Sequence, residues 1–317
     1  VRSMDQYVQA EWALAERWSL SAGLRRSRVD FSSTDNYIVA GNGNDSGAAS
    51  YQATSPALGL VFHATDATNF YASVGKGFET PTLNELAYRV SGGTGLNFNL
   101  NSSTSNQWEL GVKSQLAEGW RLNTAYFQAR TANEITIAAN TGGRASYQNV
   151  GSTKRDGLEA ALDGRLSETW TTHVAATYLN AIYASDFLTC TATPCATPNV
   201  PVTSGNRLPG IARTSVFSDL RWQACDKSMD AALEWRYVGQ IYVNDINSDV
   251  APQVSLFNAR VSWVQKVSNW SIKEFVRIDN LTRRVYAGSV IVNEGNSRFF
   301  EPARSEERRV GKECLRL

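Results

Sequence analysis

The spacing of its turns constrains this chain more than any other feature. Stretches in which apolar and polar residues alternate with a period of two recur along the whole sequence. That period marks strands whose two faces meet different media. Strands are predicted at 6–15, 18–30, 51–64, 68–77, 104–116, 120–137, 147–166, 170–184, 210–223, 229–243, 255–266 and 270–281, with a further one beginning near Arg298. No stretch of comparable length has helical periodicity. Short connections fall at Glu16-Arg17, Thr65 to Ala67, Ala117 to Gly119, Ser167 to Thr169, Ala224 to Ser228 and Val267 to Asn269. Long ones fall between them, at 31–50, 78–103, 138–146, 185–209, 244–254 and 282–297. Tight turns on one side and long loops on the other are the pattern of an outer-membrane barrel. A soluble sandwich has no physical reason to keep that alternation over a dozen strands.

The chemistry of the short turns agrees. Trp18, Trp120, Trp170 and Trp270 each follow one directly, and Phe70 follows another. An aromatic ring just past a turn sits at headgroup depth, where an indole keeps its body in apolar surroundings and its N–H near water. These residues are predicted to form the periplasmic aromatic girdle. The alternation then assigns faces. Trp18, Leu20, Ala22 and Leu24 point to lipid and Ser19, Ser21, Gly23 and Arg25 to the lumen; Trp108, Leu110 and Val112 point out and Gln107, Glu109, Gly111 and Lys113 in. Leu233, Trp235 and Tyr237 likewise oppose Glu234 and Arg236, and Phe257, Ala259, Val261 and Trp263 oppose Asn258, Arg260 and Ser262. A polar interior under a greasy exterior inverts a soluble barrel. No run of 18 apolar residues is present, so a transmembrane helix is excluded. The net charge of +1 gives no field suited to nucleic acid.

The fold class expected is therefore all-β: an antiparallel transmembrane β-barrel, incomplete, with about twelve strands of a presumed 22-stranded transporter barrel. The first strand runs down into a short turn, and the last complete one, 270–281, runs outward. The chain opens at Val1, already within a strand pattern. The expected organisation is a partial C-terminal barrel over 1–303 and a non-native tail over 304–317.

No catalytic constellation is evident, and no cofactor or metal site is expected. His63 and His173, the only histidines, lie on different strands and cannot make a zinc site of the usual spacing. Gly41-Asn42-Gly43-Asn44-Asp45 reads as a turn, lacking the Lys-Ser/Thr of a phosphate loop. Cys190 and Cys195 flank Thr-Ala-Thr-Pro in a surface loop. In an oxidising compartment that spacing favours a loop-stiffening disulfide over two free thiols. Cys225 stands alone in a periplasmic turn.

The stretch Asn69-Phe70-Tyr71-Ala72-Ser73-Val74-Gly75-Lys76-Gly77-Phe78-Glu79-Thr80-Pro81-Thr82-Leu83-Asn84-Glu85-Leu86 resembles the TonB-dependent receptor family, whose members carry an aromatic-Ala-Ser strand, a Gly-Phe-x-x-Pro turn and a Glu-Leu pair. Further matches follow in order: Thr104-Ser105-Asn106-Gln107-Trp108-Glu109-Leu110-Gly111-Val112-Lys113, then Tyr147-Gln148-Asn149-Val150-Gly151 with Gly157-Leu158-Glu159, then Asn206-Arg207-Leu208-Pro209-Gly210, then Asp279-Asn280-Leu281. The resemblance covers about 1–303. It implies energised import through a plugged barrel in the bacterial outer membrane, with the plug domain absent from this chain and expected upstream of Val1. The implied partners are a ferric siderophore, a TonB-type energy-coupling protein acting through the plug region, and outer-membrane lipids. Glu85, Glu109 and Glu159 are then expected to be wall charges facing the plug. Haem-type receptors of the family carry a His in the loop after the Pro-bearing turn, and 82–103 has none. A ferric siderophore would be held by aromatic and basic side chains near the mouth; Tyr88, Arg89, Arg144, Tyr147, Tyr183 and Tyr242 lie in that zone. A passive porin, a receptor for haem or another nutrient, and a surface adhesin are the alternatives.

From Arg304 the alternation stops. Arg304-Ser305-Glu306-Glu307-Arg308-Arg309-Val310-Gly311-Lys312-Glu313-Cys314 looks like the translation of a DNA sequencing adapter. In the family, the Arg298-Phe299-Phe300-Glu301-Pro302-Ala303 region leads into the closing strand. The tail is expected to be irregular beside an open or gapped barrel, and the chain as written is not expected to make a functional receptor. Resequencing the parent gene from independent genomic DNA with adapters trimmed should replace the codons after Ala303. Their persistence would make the tail native.

Overall fold

The computed structural model of the chain describes residues 1–40, 43–90, 95–141, 144–192, 195, 197–303 and 308–316. Of the features singled out above, Gly41 and Asn42 of the glycine-rich turn, Thr193 and Pro194 between the loop cysteines, and residues 304–307 and 317 of the tail lie outside these. The chain opens as a meander of β1 (Arg2–Ala15), β2 (Trp18–Ser33), β3 (Gly47–Thr65), β4 (Thr68–Glu79), β5 (Ser103–Ala117), β6 (Trp120–Thr141), β7 (Arg144–Arg165) and β8 (Trp170–Tyr183), with one helical turn, α1 (Leu83–Leu86), after β4. A short ladder of β9 (Phe187–Thr189) and β10 (Val200–Val202) folds within the next loop. The wall continues through β11 (Thr214–Gln223) and β12 (Met229–Val238), a second loop ladder of β13 (Ile241–Tyr242) and β14 (Val250–Ala251), and then β15 (Val254–Val267) and β16 (Trp270–Ile278). Beyond it lie a third loop ladder, β17 (Ala287–Val290) with β18 (Phe300–Pro302), and finally β19 (Arg308–Arg316).

The wall is one antiparallel sheet of thirteen strands, in the order β1 to β8, β11, β12, β15, β16, β19. It is open, with β1 and β19 at its two edges. Residues directly opposite each other share a face, so the register traces what each side presents. Leu20 faces Leu60, then Ala72, Leu110, Tyr126, Leu158 and Tyr178 in one unbroken outer row. One residue along, Ser21, Gly59, Ser73 and Glu109 align on the inner side. Leu110 is 51% exposed and Leu233 48%. In a soluble protein that row would be an aggregation surface; in a membrane it is the lipid contact.

Trp18, Trp120, Trp170 and Trp270 are the first residues of β2, β6, β8 and β16, so all four rings lie at the short-turn end. Trp18 stacks at 4.6 Å on Phe62, which is opposite Phe70, and Trp222 is opposite Trp170. The girdle is thus continuous across several strands. Gly119, the second residue of the turn before Trp120, has φ +77°, a conformation that favours glycine.

Three differences from the sequence reading have physical causes. The region 138–146 is not a long loop: β6 and β7 run on as a ladder to Thr141 opposite Arg144. Each strand has 22 residues, roughly 70 Å at 3.3 Å per residue, against a hydrocarbon core of about 30 Å. Beyond the bilayer both faces meet water or protein, so the in–out alternation that reveals strands fades while the pairing persists. The strand expected near Arg298 is β18, but it pairs with β17 in a loop rather than joining the wall. The tail is not irregular, because Arg308–Arg316 pairs in register with β16, Ile278 opposite Arg308 through Trp270 opposite Arg316. Backbone pairing needs only free N–H and C=O groups, which the edge of β16 offers to any extended segment.

The face assignment can be tested on the full-length parent protein in phospholipid bilayers. Leu110→Lys should cost about 2–4 kcal/mol in guanidinium unfolding. Ser73→Lys, on the inner side opposite Glu109, should stay within about 0.5 kcal/mol. Equal losses would refute the assignment.

Candidate functional site

The inner wall is lined with charges, most of them paired with one another. Arg277 meets Glu234 through two bonds of 2.7 Å each, and Arg155 meets Glu134 at 2.7 and 3.1 Å. Arg260 lies 3.1 Å from Asp230, and Asp163 takes both Arg121 at 3.0 Å and His173 at 2.8 Å. Lys113 sits over the Tyr71 ring, whose hydroxyl donates to Glu109. Gly111 makes this possible, since a Cβ there would fall 2.4 Å from the Tyr71 ring. Near the mouth Asn133 adopts φ +56°, and just beyond it Glu134 turns to Thr153 and Arg155.

Above the wall, the first cluster is organised by α1. Thr82 caps its N-terminus: the Glu85 amide donates to the Thr82 hydroxyl at 3.3 Å, and the Glu85 carboxylate accepts from the Thr82 amide at 2.6 Å. Glu85, expected to be a plug-facing wall charge, is therefore engaged in holding this turn. Leu86 is wholly buried with Phe31, Tyr51 and Leu100, and Tyr147 packs against the group. The Tyr51 hydroxyl donates to the Leu100 carbonyl at 2.7 Å, which fixes the loop against β3. On this base stand Tyr88, 43% exposed, and Arg144, whose guanidinium lies 5.7 Å from the Tyr88 ring centre. Arg89 donates to the Leu96 carbonyl at 3.2 and 3.3 Å. Tyr88, Arg89, Arg144 and Tyr147 thus surround one loop.

Tyr183 and Tyr242 lie elsewhere. Tyr183 is 1% exposed, and its hydroxyl donates to Asp245 at 2.6 Å, so its polar end is engaged. Tyr242 is half-buried in β13, and its carbonyl accepts from the Gly210 amide at 2.9 Å. Around Asp245 a second cluster joins the remaining loops. Its carboxylate also accepts from Thr189 at 3.1 Å and from Asn293 at 2.8 Å, while Asn206 donates to its backbone carbonyl at 2.9 Å. Asn293 in turn donates to the Ile137 carbonyl on β6 at 2.7 Å. A fully buried carboxylate is tolerable because it has three side-chain donors. Nearby, Cys190 and Cys195 are joined by a disulfide with Cα atoms 6.0 Å apart. Cys225 is a free, exposed thiol in the β11–β12 turn. His63 bridges Ser19 and Asn69 at 3.0 and 2.7 Å, a structural use of the ring. The sequence reading missed both the cap and the Asp245 cluster. The pattern Thr82-x-x-Glu85 is a capping signature, whereas nothing local marks Asp245.

Comparison with known proteins adds the family. The family model described as TonB dependent receptor-like, beta-barrel, matches residues 2–281. A protein named probable TonB-dependent siderophore receptor PiuA, from Acinetobacter baumannii, is 22% identical over 319 residues, covering 96% of this chain and 38% of its own length. The crystal structure of PiuA from that organism aligns with TM-score 0.80 at 18% identity over 98% of this chain and 42% of that one. The ferric citrate transporter FecA aligns with TM-score 0.73 at 15% identity, covering 99% and 45%. The copper transporter OprC aligns with TM-score 0.73 at 16% identity, covering 99% and 48%. At these identities the structural likeness shows the fold. The chain spans less than half the length of each.

The Asp245 cluster carries a pH signature. It lies in a loop outside the membrane, and burial holds its carboxyl above the ordinary carboxylate range, against the pull of Tyr183, Asn293 and Thr189. The folded loops therefore bind this proton more tightly than the unfolded chain. Their stability is full below the ordinary carboxylate pKa of about 3.9 and declines as pH rises through the raised value. Hydrogen exchange across 239–253, corrected for intrinsic rates, should show less protection at neutral pH than near pH 4, and Asp245→Asn should flatten that slope. A slope of opposite sign, or one unchanged in the variant, would exclude the assignment.

Proposed function

The chain belongs to the TonB-dependent receptor β-barrel family of the bacterial outer membrane, and on that footing we propose that it forms part of a receptor importing an iron chelate, a ferric siderophore, by energy coupling. The observation that carries the reading is the mouth cluster: exposed Tyr88 under the Arg144 guanidinium, with Arg89 and Tyr147 alongside. Ferric siderophores present flat aromatic or polar chelating groups and often net negative charge. An aromatic ring paired with a guanidinium suits both. The names of PiuA and FecA, which refer to a siderophore and to ferric citrate, agree with that cargo.

The paired charges of the wall fit the same reading. Glu234–Arg277 and Glu134–Arg155 leave a polar but largely neutralised lumen, able to pack a plug or pass a hydrated solute. Coupling would act through a plug region outside this chain, pulled by a TonB-type inner-membrane partner. Tyr183 and Tyr242 are assigned to supporting the loops rather than to touching the chelate. The disulfide between Cys190 and Cys195 stiffens the loop beside Tyr183.

The test is uptake of radioactive iron as a ferric tris-catecholate and as a ferric trihydroxamate by cells carrying the full-length parent. Import of one of them should disappear in a strain lacking the coupling protein. Tyr88→Ala and Arg144→Ala should each weaken chelate binding by about tenfold, the worth of one desolvated cation–aromatic contact. Undiminished import without the coupling protein would mean a passive porin. Binding of haem in place of both chelates would mean a haem receptor.

A further inference from the structure

Asp245 is wholly buried, so it depends on its donors as no exposed carboxylate does. A buried charge that loses a partner cannot turn to water instead. Two of its side-chain donors are firmly held. Tyr183 ends the wall strand β8, and its ring packs on Phe187 at 4.7 Å. Asn293 is anchored by its own amide, which donates to the Val243 carbonyl at 3.0 Å. The third donor, Thr189, reaches Asp245 at 3.1 Å from a weaker base. It ends β9, whose ladder with β10 has only three residue pairs. One of the partners is Pro201, which has no N–H to give. A two-stranded ladder of that size is not stable by itself in water.

What clamps the end of that ladder is the disulfide. Cys190 follows Thr189 directly, and Cys195 lies in the connection that leads to β10, with the two Cα atoms 6.0 Å apart. The bond draws the connection in beside Thr189 and removes much of its conformational freedom. The two sulfurs differ in setting. Cys190 is 3% exposed, and its amide donates to the Ala138 carbonyl on β6 at 3.3 Å. Cys195 is only half-buried. A thiolate arriving from outside therefore meets the Cys195 sulfur first, and Cys190 is the leaving group.

We propose that the Cys190–Cys195 bond is a redox-sensitive pin for the Asp245 cluster: a dithiol that opens it frees Thr189 from Asp245 and loosens 239–253 and 289–297, neither of which contains a cysteine. In the first step one thiolate of the dithiol attacks the Cys195 sulfur. The bond between the two cysteine sulfurs breaks, and Cys190 leaves with the electron pair and takes up a proton. The second thiolate of the reagent then displaces Cys195, which is protonated in turn. The protein disulfide has gained two electrons and two protons, and the dithiol has become a cyclic disulfide. The connection 190–199 regains its freedom, and Asp245 keeps only Tyr183 and Asn293 as side-chain donors. Because those residues carry the neighbouring loops, the loss is felt across all of them. The cluster is then complete only in oxidising surroundings, and the inference is independent of the cargo.

The test is hydrogen exchange on the full-length parent protein in bilayers, before and after treatment with dithiothreitol. The exposed Cys225 is alkylated beforehand, so that mass mapping after reduction should find Cys190 and Cys195 newly labelled. Exchange across 239–253 should then rise roughly tenfold, the worth of one hydrogen bond to a buried carboxylate. The loop 80–103, which belongs to the other cluster, should keep its rate. Thr189→Val should itself speed exchange across 239–253, and reduction should add little more, because the donor is already gone. Thr189→Ser should behave as wild type. A bond that resists excess dithiothreitol, a rate across 239–253 that reduction leaves unchanged, an equal rise across 80–103, or a full further rise in Thr189→Val would each overturn the proposal. The comparison on wild type does not depend on any variant folding.

Discussion

Everything in this structure follows from the fate of backbone amides in hydrocarbon. With no water to satisfy them, each unpaired N–H or C=O in the membrane costs several kcal/mol, so strands must pair side by side without interruption. The thirteen-strand ladder meets that demand along its length. Once the pairing is fixed, the pleat dictates the rest. Leu110 must face lipid because Glu109 faces the lumen, and the lumen must be polar because alternate positions cannot be greasy as well. Charge balance then falls to neighbours across the sheet, which is why Glu234 finds Arg277 two strands away, across β15.

The same demand explains what could be read from the sequence alone. The twelve strands from β1 to β16 that form the wall lie where the alternation places them, within a few residues, because the bilayer enforces a two-sided environment at those positions. The turns were legible through Trp18, Trp120, Trp170 and Trp270, whose depth is also set by the membrane. Where the membrane ends, so does the legibility. The upper ends of β6 and β7 have no lipid face, and Ala138 to Asn140 lost their strand signature with it. The four-residue α1 is too short for any periodicity, although its Thr82–Glu85 cap was written plainly in the sequence.

The candidate site divides in the same way. Residue type and loop position place Tyr88, Arg89, Arg144 and Tyr147 near the mouth together with Tyr183 and Tyr242, and the first four gather around one loop. Tyr183 has the composition expected of a ligand contact but is buried against Asp245, a partner 62 positions along the chain. No local pattern encodes such a pairing. It depends on three loops arriving at one point, with Asn247 and Asn293 both in left-handed backbone conformations to let them turn there.

The hydrogen bond from Asn293 to the Ile137 carbonyl spans 156 positions of sequence. Contacts of that range form late in folding, because the entropy of closing so long a loop must be overcome before they return anything. β6 and the loop after β16 can meet only when the strands between them have been laid side by side. The Asp245 cluster is therefore a timed product of assembly: a chain halted partway has a wall but no roof over its later strands.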